Sequence, residues 1–257
     1  MGNFLEQRQM MSGYFPGSVL AQANTKLGGY KQVFVSLAGD KSSPMYPPYG
    51  GKLKNPFKGA AKMFAGDLVE YRVNGECYLL KTYEVSKATS TAEVLISSGA
   101  CEYGEVFRHI PFVGDNLMVA PDAIDGTGKA VTVIAVEKTF SSNGMQDGWK
   151  VTLSDNLGSI QKGAVLVEAE KAGASEKAMV TNPNCFLEND YDCIFDPATA
   201  NEDYEGAKYL FSPSLMLGRE FAWISKMSPL PKSVLALNKR VKCPSGINSN
   251  KFCITLI

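Results

Sequence analysis

Residues 68–80 read LVEYRVNGECYLL, with Asn74-Gly75 between two runs that are rich in apolar residues. An Asn-Gly pair is the strongest short signal for a β-hairpin, because both residues tolerate the positive φ that a two-residue turn requires. The stretch therefore predicts two antiparallel strands joined at Asn74-Gly75.

The same alternation of short strands and turns continues to about residue 181. Runs rich in Val and Thr recur at intervals of roughly 10 to 15 residues, and no window sustains the 3.6-residue period of an amphipathic helix. This pattern predicts a mainly β fold, with a β-barrel or β-sandwich module over residues 66–181. The further candidate strands are residues 76–85, 92–97, 116–120, 129–138, 149–153 and 163–168.

Residues 1–65 are rich in glycine and proline, yet they carry many aromatic residues. Proline and glycine resist long regular elements, whereas a disordered tail holds few aromatic residues. We therefore expect an extended N-terminal arm, with one short strand within residues 32–37, that orders against another surface. An arm that wraps its own domain is the equal alternative. The candidate contact residues on another protein are Tyr14, Phe15, Tyr30, Tyr46 and Tyr49.

Residues 182–257 give a less regular pattern and are expected to form an irregular C-terminal β region. Residues 215–224 are compatible with a short helix or a buried strand. Residues 233–238 and 252–257 predict two closing strands, because each is a short apolar run beside a turn. The region either completes the first domain or forms a second small domain.

Charge and hydropathy exclude several classes of protein. Lys plus Arg number 26 and Asp plus Glu also number 26, so the chain lacks the excess of positive charge typical of nucleic-acid binding. Hydrophobic residues make up 45% of the chain, which favours a folded protein over a disordered one. No apolar run approaches the ~18 residues of a membrane span, and the N-terminal residues do not resemble a signal peptide.

Residues for catalysis or metal binding are scarce. The chain has six cysteines without a Cys-X-X-Cys pair and a single histidine, His109, so we expect free, mostly buried thiols and no zinc site. We predict His109 to be a packed or surface residue. The acidic stretches at residues 188–192 and 201–205 lack the glycine and distal glutamate of a calcium loop. The sequence therefore predicts no enzyme, no catalytic residue, no metal and no cofactor.

Three stretches resemble the compact β-barrel module of phage head-decoration and head-fibre proteins. They are GKAVTVIAVE at 128–137, WKVTLS at 149–154 and LGSIQKGAVLVEA at 157–169. The whole chain is similar to the auxiliary head proteins of tailed phages that infect gut Bacteroidetes, including crAss-like phages, with the likeness concentrated in residues 66–181. The resemblance implies no catalytic residue. It implies a module at capsomer junctions, often a trimer, that ties capsid subunits together through an extended arm.

The function expected on this basis is that of a structural virion protein on the outside of a phage capsid. Its partner would be the major capsid protein, with homo-oligomerisation, as a trimer, or assembly templated by the capsid. It would be made in the host cytoplasm and reside on the capsid surface, with no membrane or nucleic-acid partner. The alternative is a head-fibre, tail-fibre or carbohydrate-binding module, for which Trp149 and Trp223 are candidate platforms, although both stand in apolar patterns.

Overall fold

A computed structural model of the chain describes residues 34–35, 52–59, 61–97, 108–188, 191–193, 215–217, 221–223, 228–236 and 253–254. Strands account for 47% of the described residues and helix for 4%, which confirms the mainly β fold class. None of the helices in this part of the chain is long and apolar enough to cross a membrane.

The strands of the described residues are short, with one exception of 14 residues. In chain order they are β1 (Phe34–Val35), β2 (Lys52–Leu53), β3 (Ala61–Met63), β4 (Leu68–Tyr71), β5 (Glu76–Leu79), β6 (Thr82–Glu84), β7 (Glu93–Ser97), β8 (Asn116–Val119), β9 (Thr127–Phe140), β10 (Gln146–Leu153), β11 (Val165–Glu168), β12 (Gly173–Lys177), β13 (Cys185–Leu187), β14 (Tyr191–Cys193), β15 (Leu215–Leu217), β16 (Phe221–Trp223) and β17 (Cys253–Ile254).

The largest sheet has seven strands in the order β6-β11-β8-β9-β10-β7, and β12 adds to β9. The first and last strands of this path meet, because Val85 bridges Ile96 and the Ser86 N–H donates to the Leu95 carbonyl. This contact is compatible with a barrel, and the choice between barrel and sandwich stays a prediction. One cluster of buried residues belongs to this sheet and the loops that connect its strands: Tyr83, Val85, Val94, Ile96, Leu117, Val131, Val133, Trp149, Val151, Leu153, Ile160 and Leu166.

The second sheet has five strands in the order β15-β13-β4-β5-β2. Its centre is the predicted hairpin of β4 and β5, and Gly75 in the turn has a φ of 82°, a conformation that glycine adopts readily. The sheet also takes β2 from the first 65 residues and β13 and β15 from the residues after 181. Hydrogen bonding therefore joins strands of all three segments that the sequence distinguishes.

Both faces of the five-stranded sheet are buried. Leu68 and Phe186 face the inter-sheet core, which also contains Met118 and Val167 from the seven-stranded sheet. On the opposite face lies a third cluster of buried residues: Leu53, Phe57, Met63, Val69, Cys77, Leu79, Cys185, Leu187 and Leu215. This double burial explains why β4 reads as a nearly continuous apolar run rather than as an alternating strand.

Residues 52–59, here called the strap, lie against the fold as an edge of the second sheet. β2 runs parallel to β5, and the Lys54 N–H donates to the Cys77 carbonyl. Leu53, Asn55 and Phe57 point inward and are buried, whereas Lys58 is exposed. The strap therefore anchors the chain N-terminal to the first hairpin on its own domain.

The C-terminal residues depart from the sequence prediction at one element. The predicted strand at residues 233–238 is wrong, since Lys232–Ala236 form a helix, α1. Pro231 precedes this helix, and its carbonyl accepts hydrogen bonds from the N–H groups of Val234 and Leu235. Proline is favoured at a helix start because its φ is already helical and it has no N–H to satisfy. Residues 215–217 and 221–223 are strands rather than a helix. The predicted strands at 32–37 and 252–257 are confirmed at the residues that the structure describes, Phe34–Val35 (β1) and Cys253–Ile254 (β17). Both of these strands pair with β16.

Candidate functional site

The five predicted contact residues Tyr14, Phe15, Tyr30, Tyr46 and Tyr49 lie outside the described residues. Two other aromatic residues of the first 65 are described with their side chains, and both face inward. Phe57 is 1% exposed and Phe64 is 3% exposed. These two aromatic side chains contribute to the core of the chain itself.

Trp149 is the tryptophan whose side chain the structure describes, and it gives no exposed platform. Trp149 is buried in the core of the seven-stranded sheet, on β10, where it pairs with Lys138 and Ile96. Trp223 lies in β16, where its backbone partner is Cys253. Burial of Trp149 agrees with the apolar alternation of residues 149–153.

His109 lies in a buried polar cluster, here called the His109 hub, with Asp67, Thr82 and Ser228. The imidazole is 1% exposed, as expected for a packed histidine, and is stacked on the Phe64 ring at a centroid distance of 6.3 Å. Nε2 lies 2.8 Å from Asp67 Oδ2, and the Ser228 hydroxyl donates to Asp67 Oδ1 at 2.6 Å. The hub therefore connects β4, β6, the residues before β8 and the residues before α1.

A serine, a histidine and an aspartate in contact invite comparison with a hydrolase triad, but the hydrogen bonds run differently. Nδ1 of His109 accepts the Thr82 N–H at 3.1 Å, so the proton of the neutral ring is on Nε2 and is donated to Asp67. Ser228 Oγ faces the same nitrogen at 3.4 Å. In a triad, one imidazole nitrogen accepts from serine while the other donates to aspartate. In the hub no ring nitrogen is free to take the serine proton.

The hub side chains are also shielded from solvent in the described structure, where His109 is 1% exposed, Asp67 2% and Ser228 5%. The space beside it, lined by Asp67, Leu68, Leu80, Thr82, Ser228 and Leu230, has no room for a water molecule. Buried polar groups that satisfy one another in a dry core fix the relative position of the segments that carry them. We therefore interpret the hub as a structural fastening of the residues around Ser228 to β4.

Glu70 fastens the C-terminal end of the large sheet to β4 in a similar way. Its carboxylate accepts from the backbone N–H groups of Thr181 and Asn182 and from the Arg72 guanidinium. Burial by itself raises the pKa of Glu70, whereas these hydrogen bonds and the charge of Arg72 lower it. Together they outweigh burial, so the pKa lies below the ordinary 4.5. The Arg72 guanidinium also lies 3.9 Å from the Tyr78 ring centroid.

A second buried polar cluster, here called the Lys81 cluster, consists of Asn55, Lys81 and Glu168. Lys81 Nζ lies 3.1 Å from Glu168 Oε1, and Asn55 Nδ2 donates to Glu168 Oε2 at 2.7 Å. Lys81 Nζ also donates to the Pro56 carbonyl at 3.1 Å. The cluster brings together the strap, the residue before β6 and the end of β11.

Two of the six cysteines are described with their side chains, and both are free and buried, as predicted. Burial raises the pKa of the Cys77 thiol to about 12, with a smaller contribution from Cys185. Burial likewise raises the pKa of Cys185 to about 12, against a hydrogen bond with the Tyr71 backbone that lowers it. Neither thiol is available as a thiolate near neutral pH. Among the described residues, no group of three or more His, Cys, Asp or Glu side chains could hold a metal ion.

One surface feature is the hairpin tip, residues 139–147, formed by the end of β9, the turn that follows it and the start of β10. The pairing of β10 with β7 ends at Gly148, so Met145 lies about 10 Å beyond it at ~3.3 Å per residue. Phe140 is 60% exposed and Met145 is 57% exposed. The Ser141 hydroxyl lies within hydrogen-bond distance of the Met145 carbonyl and of Asn143 Oδ1, and its one proton can go to either, which orders the turn. The tip thus presents two large apolar side chains on a hydrogen-bonded turn.

The sequence analysis missed both buried polar clusters. A usable pattern existed for the Lys81 cluster, because Lys81 stands two residues after Leu79 and two before Tyr83, and Glu168 stands two residues after Leu166. Alternation places each charged residue on the same side as buried neighbours. No comparable pattern joins Asp67, His109 and Ser228, which are far apart in the chain.

The chain was compared with known proteins at three levels. No family model, no curated protein and no solved structure matches it. Inference about its function therefore starts from its own residues.

Proposed function

We propose that this chain is a structural virion protein that binds the outside of a phage capsid and cements or decorates neighbouring capsomers. Such a protein adds buried area across the boundaries between capsomers, and repetition over many equivalent sites turns a modest affinity into stable attachment through avidity. It needs a scaffold that does not deform and apolar groups that project from it.

The observation that carries the proposal is the hairpin tip. Phe140 and Met145 remain exposed although each would gain from burial, and aromatic residues and Met are enriched where proteins meet. The side-chain hydrogen bonds of Ser141 and Thr139, the latter to Asp147 at 2.7 Å, reduce the entropy lost when the turn docks.

The scaffold behind the tip supports the same proposal. Its two large sheets share the inter-sheet core, and the His109 hub and the Lys81 cluster add buried polar contacts between segments that are distant in sequence. Zero formal net charge also limits repulsion between crowded copies on a shell. The proposed partner is the major capsid protein, with the chain acting as a trimer or assembled on the capsid itself.

The alternative of a head-fibre, tail-fibre or carbohydrate-binding module receives no support from Trp149, because that ring is buried. A stacking platform for a sugar requires an exposed aromatic face. The capsid-surface role is therefore the one we put forward.

The deciding experiment is quantitative mass spectrometry of purified particles, with the chain measured against the major capsid protein. Hundreds of copies per particle would support decoration of the shell. A handful would place the chain at a vertex or fibre instead, and its absence would refute a virion role.

Site variants then test the tip. The double variant Phe140→Ser/Met145→Ser should lower occupancy on capsids at least tenfold, while the free protein keeps its circular dichroism and its unfolding midpoint. Val73→Ser is the matched control, because Val73 is an exposed apolar residue at the other hairpin turn. Equal loss of occupancy in both variants would refute a specific role for the tip.

A further inference from the structure

The Lys81 cluster holds an amine and a carboxamide on the two oxygens of one carboxylate. Lys81 is 1% exposed, Asn55 6% and Glu168 8%, so the three groups meet out of water. A buried lysine–glutamate pair contributes little to stability on balance, because removing both charges from water costs about as much as their attraction returns. The arrangement is that of an amine, an electrophile and an acid–base group set side by side.

We propose that Lys81 and Asn55 join spontaneously in an intramolecular amide bond, with Glu168 as the proton-transferring group. This inference goes beyond the proposed function and does not depend on it. It assigns a covalent modification to the chain itself and requires no cofactor or second protein.

The reaction balances without an oxidant or a co-reactant. A proton passes from the Lys81 ammonium to Glu168 Oε1, and the neutral Nζ attacks Cγ of Asn55. In the tetrahedral intermediate Glu168 gives this proton to Nδ2 and takes a second proton from Nζ. The Cγ–Nδ2 bond breaks, and the departing ammonia takes up the second proton and leaves as ammonium. The product has an amide bond between Nζ and Cγ, the carboxylate of Glu168 is regenerated, and the chain has lost one NH3.

The contacts of Asn55 favour attack at its Cγ. Oδ1 accepts the Leu79 N–H at 2.8 Å, so a fixed donor faces the oxygen on which negative charge develops. Nδ2 donates to the Leu79 carbonyl at 2.9 Å and to Glu168 Oε2, which holds the leaving nitrogen beside the group that protonates it. Pairing of the strap with β5 fixes both partners before the reaction begins.

The contacts of Lys81 hold its amine beside Asn55. Nζ donates to Pro56, the residue next to Asn55, and lies 5.0 Å from the centroid of the Phe57 ring. The neighbouring phenol of Tyr83 is fully buried, and its pKa is raised well above the ordinary value by burial first and by the charges of Asp115 and Glu168 second. In such a dry setting, proton transfer from Lys81 to Glu168 removes two buried charges at once.

The same three residue types occur at the surface, where they serve as an internal control. Lys54 Nζ lies 2.9 Å from Glu76 Oε1, with side-chain exposures of 21% and 26%, and Asn74 also contacts the Glu76 side chain. Water reaches this set and solvates the ammonium, so we expect no amide between Lys54 and Asn74. The comparison isolates burial as the condition for reaction.

The test is the mass of the intact, full-length protein after native folding and subsequent denaturation. We expect the wild type to be lighter than its sequence by about 17 Da, the mass of ammonia, and a digest to yield one branched peptide that links residues 55 and 81. Lys81→Arg and Glu168→Gln should keep their full mass. Asn55→Asp should lose water in place of ammonia, and its product should have the same mass as that of the wild type.

Two results would overturn the proposal. One is a folded wild-type protein that keeps its full sequence mass after prolonged incubation. The other is a loss of the same mass that maps to an asparaginyl succinimide, such as at Asn74-Gly75, with residues 55 and 81 in separate peptides. Because the decisive measurement uses the unmodified sequence, a variant that fails to fold does not weaken it.

Discussion

Ser228→Ala removes the hydroxyl that fastens the residues before α1 to the centre of the fold. In the wild type this hydroxyl donates to Asp67 Oδ1 at 2.6 Å, and Ser228 is 5% exposed. The same aspartate accepts the Phe64 N–H at 2.7 Å and faces Nε2 of His109 at 2.8 Å. The substitution therefore weakens one contact of a carboxylate whose other partners stay in place.

The expected cost follows from the charge and the dryness of the site. A hydrogen bond to an ionised group contributes ~1.5–3 kcal/mol, and no water can replace the missing hydroxyl, because the adjacent space is too small for one. We expect a loss of about 2 kcal/mol, equivalent to a fall in Tm of roughly 4–8 °C for a chain of this size.

The assay is urea unfolding followed by circular dichroism, with Ser175→Ala as the control. Ser175 is exposed, and its hydroxyl bonds only the exposed Thr127 in the described structure, so its removal should change the free energy of unfolding by less than about 0.5 kcal/mol. If Ser228→Ala loses no more than Ser175→Ala, the His109 hub does not fasten the segment and our interpretation of it is wrong.

Three further outcomes follow from the geometry. Glu70→Gln should have a lower free energy of unfolding than the wild type. The difference should be full above pH 4.5 and shrink as pH falls through the lowered pKa of Glu70 in the folded state. Urea unfolding across pH measures it, and a difference that does not depend on pH would contradict this. Cys77 and Cys185 should resist iodoacetamide in the native protein and react after denaturation, and peptide mapping of early labelling at either position would contradict their burial. Gly148→Ala should lower the free energy of unfolding by more than ~2 kcal/mol, because the added Cβ would lie 2.1 Å from the Ile96 carbonyl oxygen. Gly128→Ala is the control, since its Cβ would lie 3.0 Å from the flexible end of the Met118 side chain. Equal unfolding midpoints for the two variants would refute the close approach of β7 and β10.

Local sequence patterns predicted the elements whose causes are local. The β4–β5 hairpin follows from Asn74-Gly75, and the strands β7 to β11 follow from short apolar runs bounded by turn residues. The helix at residues 232–236 was predicted as a strand, because the four-residue apolar run at 234–237 is too short to have a period that distinguishes the two. The proline before it was the more informative feature.

The polar clusters show where local patterns stop. Asn55 stands in a basic stretch of the strap that suggests a solvated surface, yet it is buried against Glu168, which lies 113 residues away. Nothing in either neighbourhood indicates the other. Such contacts arise because strands pair at long range, so a residue's environment depends on which distant strand becomes its neighbour.

The sequence by itself determined that this protein is mainly β, where its central hairpin turns and that Cys77 and Trp149 are packed residues. Strand alternation, turn chemistry and hydrophobicity act within a few positions of the chain. Only the tertiary structure decided that the strap completes the second sheet, that His109, Asp67 and Ser228 meet without the hydrogen bonds of a triad, and that Lys81 faces Asn55 across one carboxylate. Those outcomes depend on sheet order and register, which are fixed by the joint burial of both faces of the five-stranded sheet rather than by any one segment.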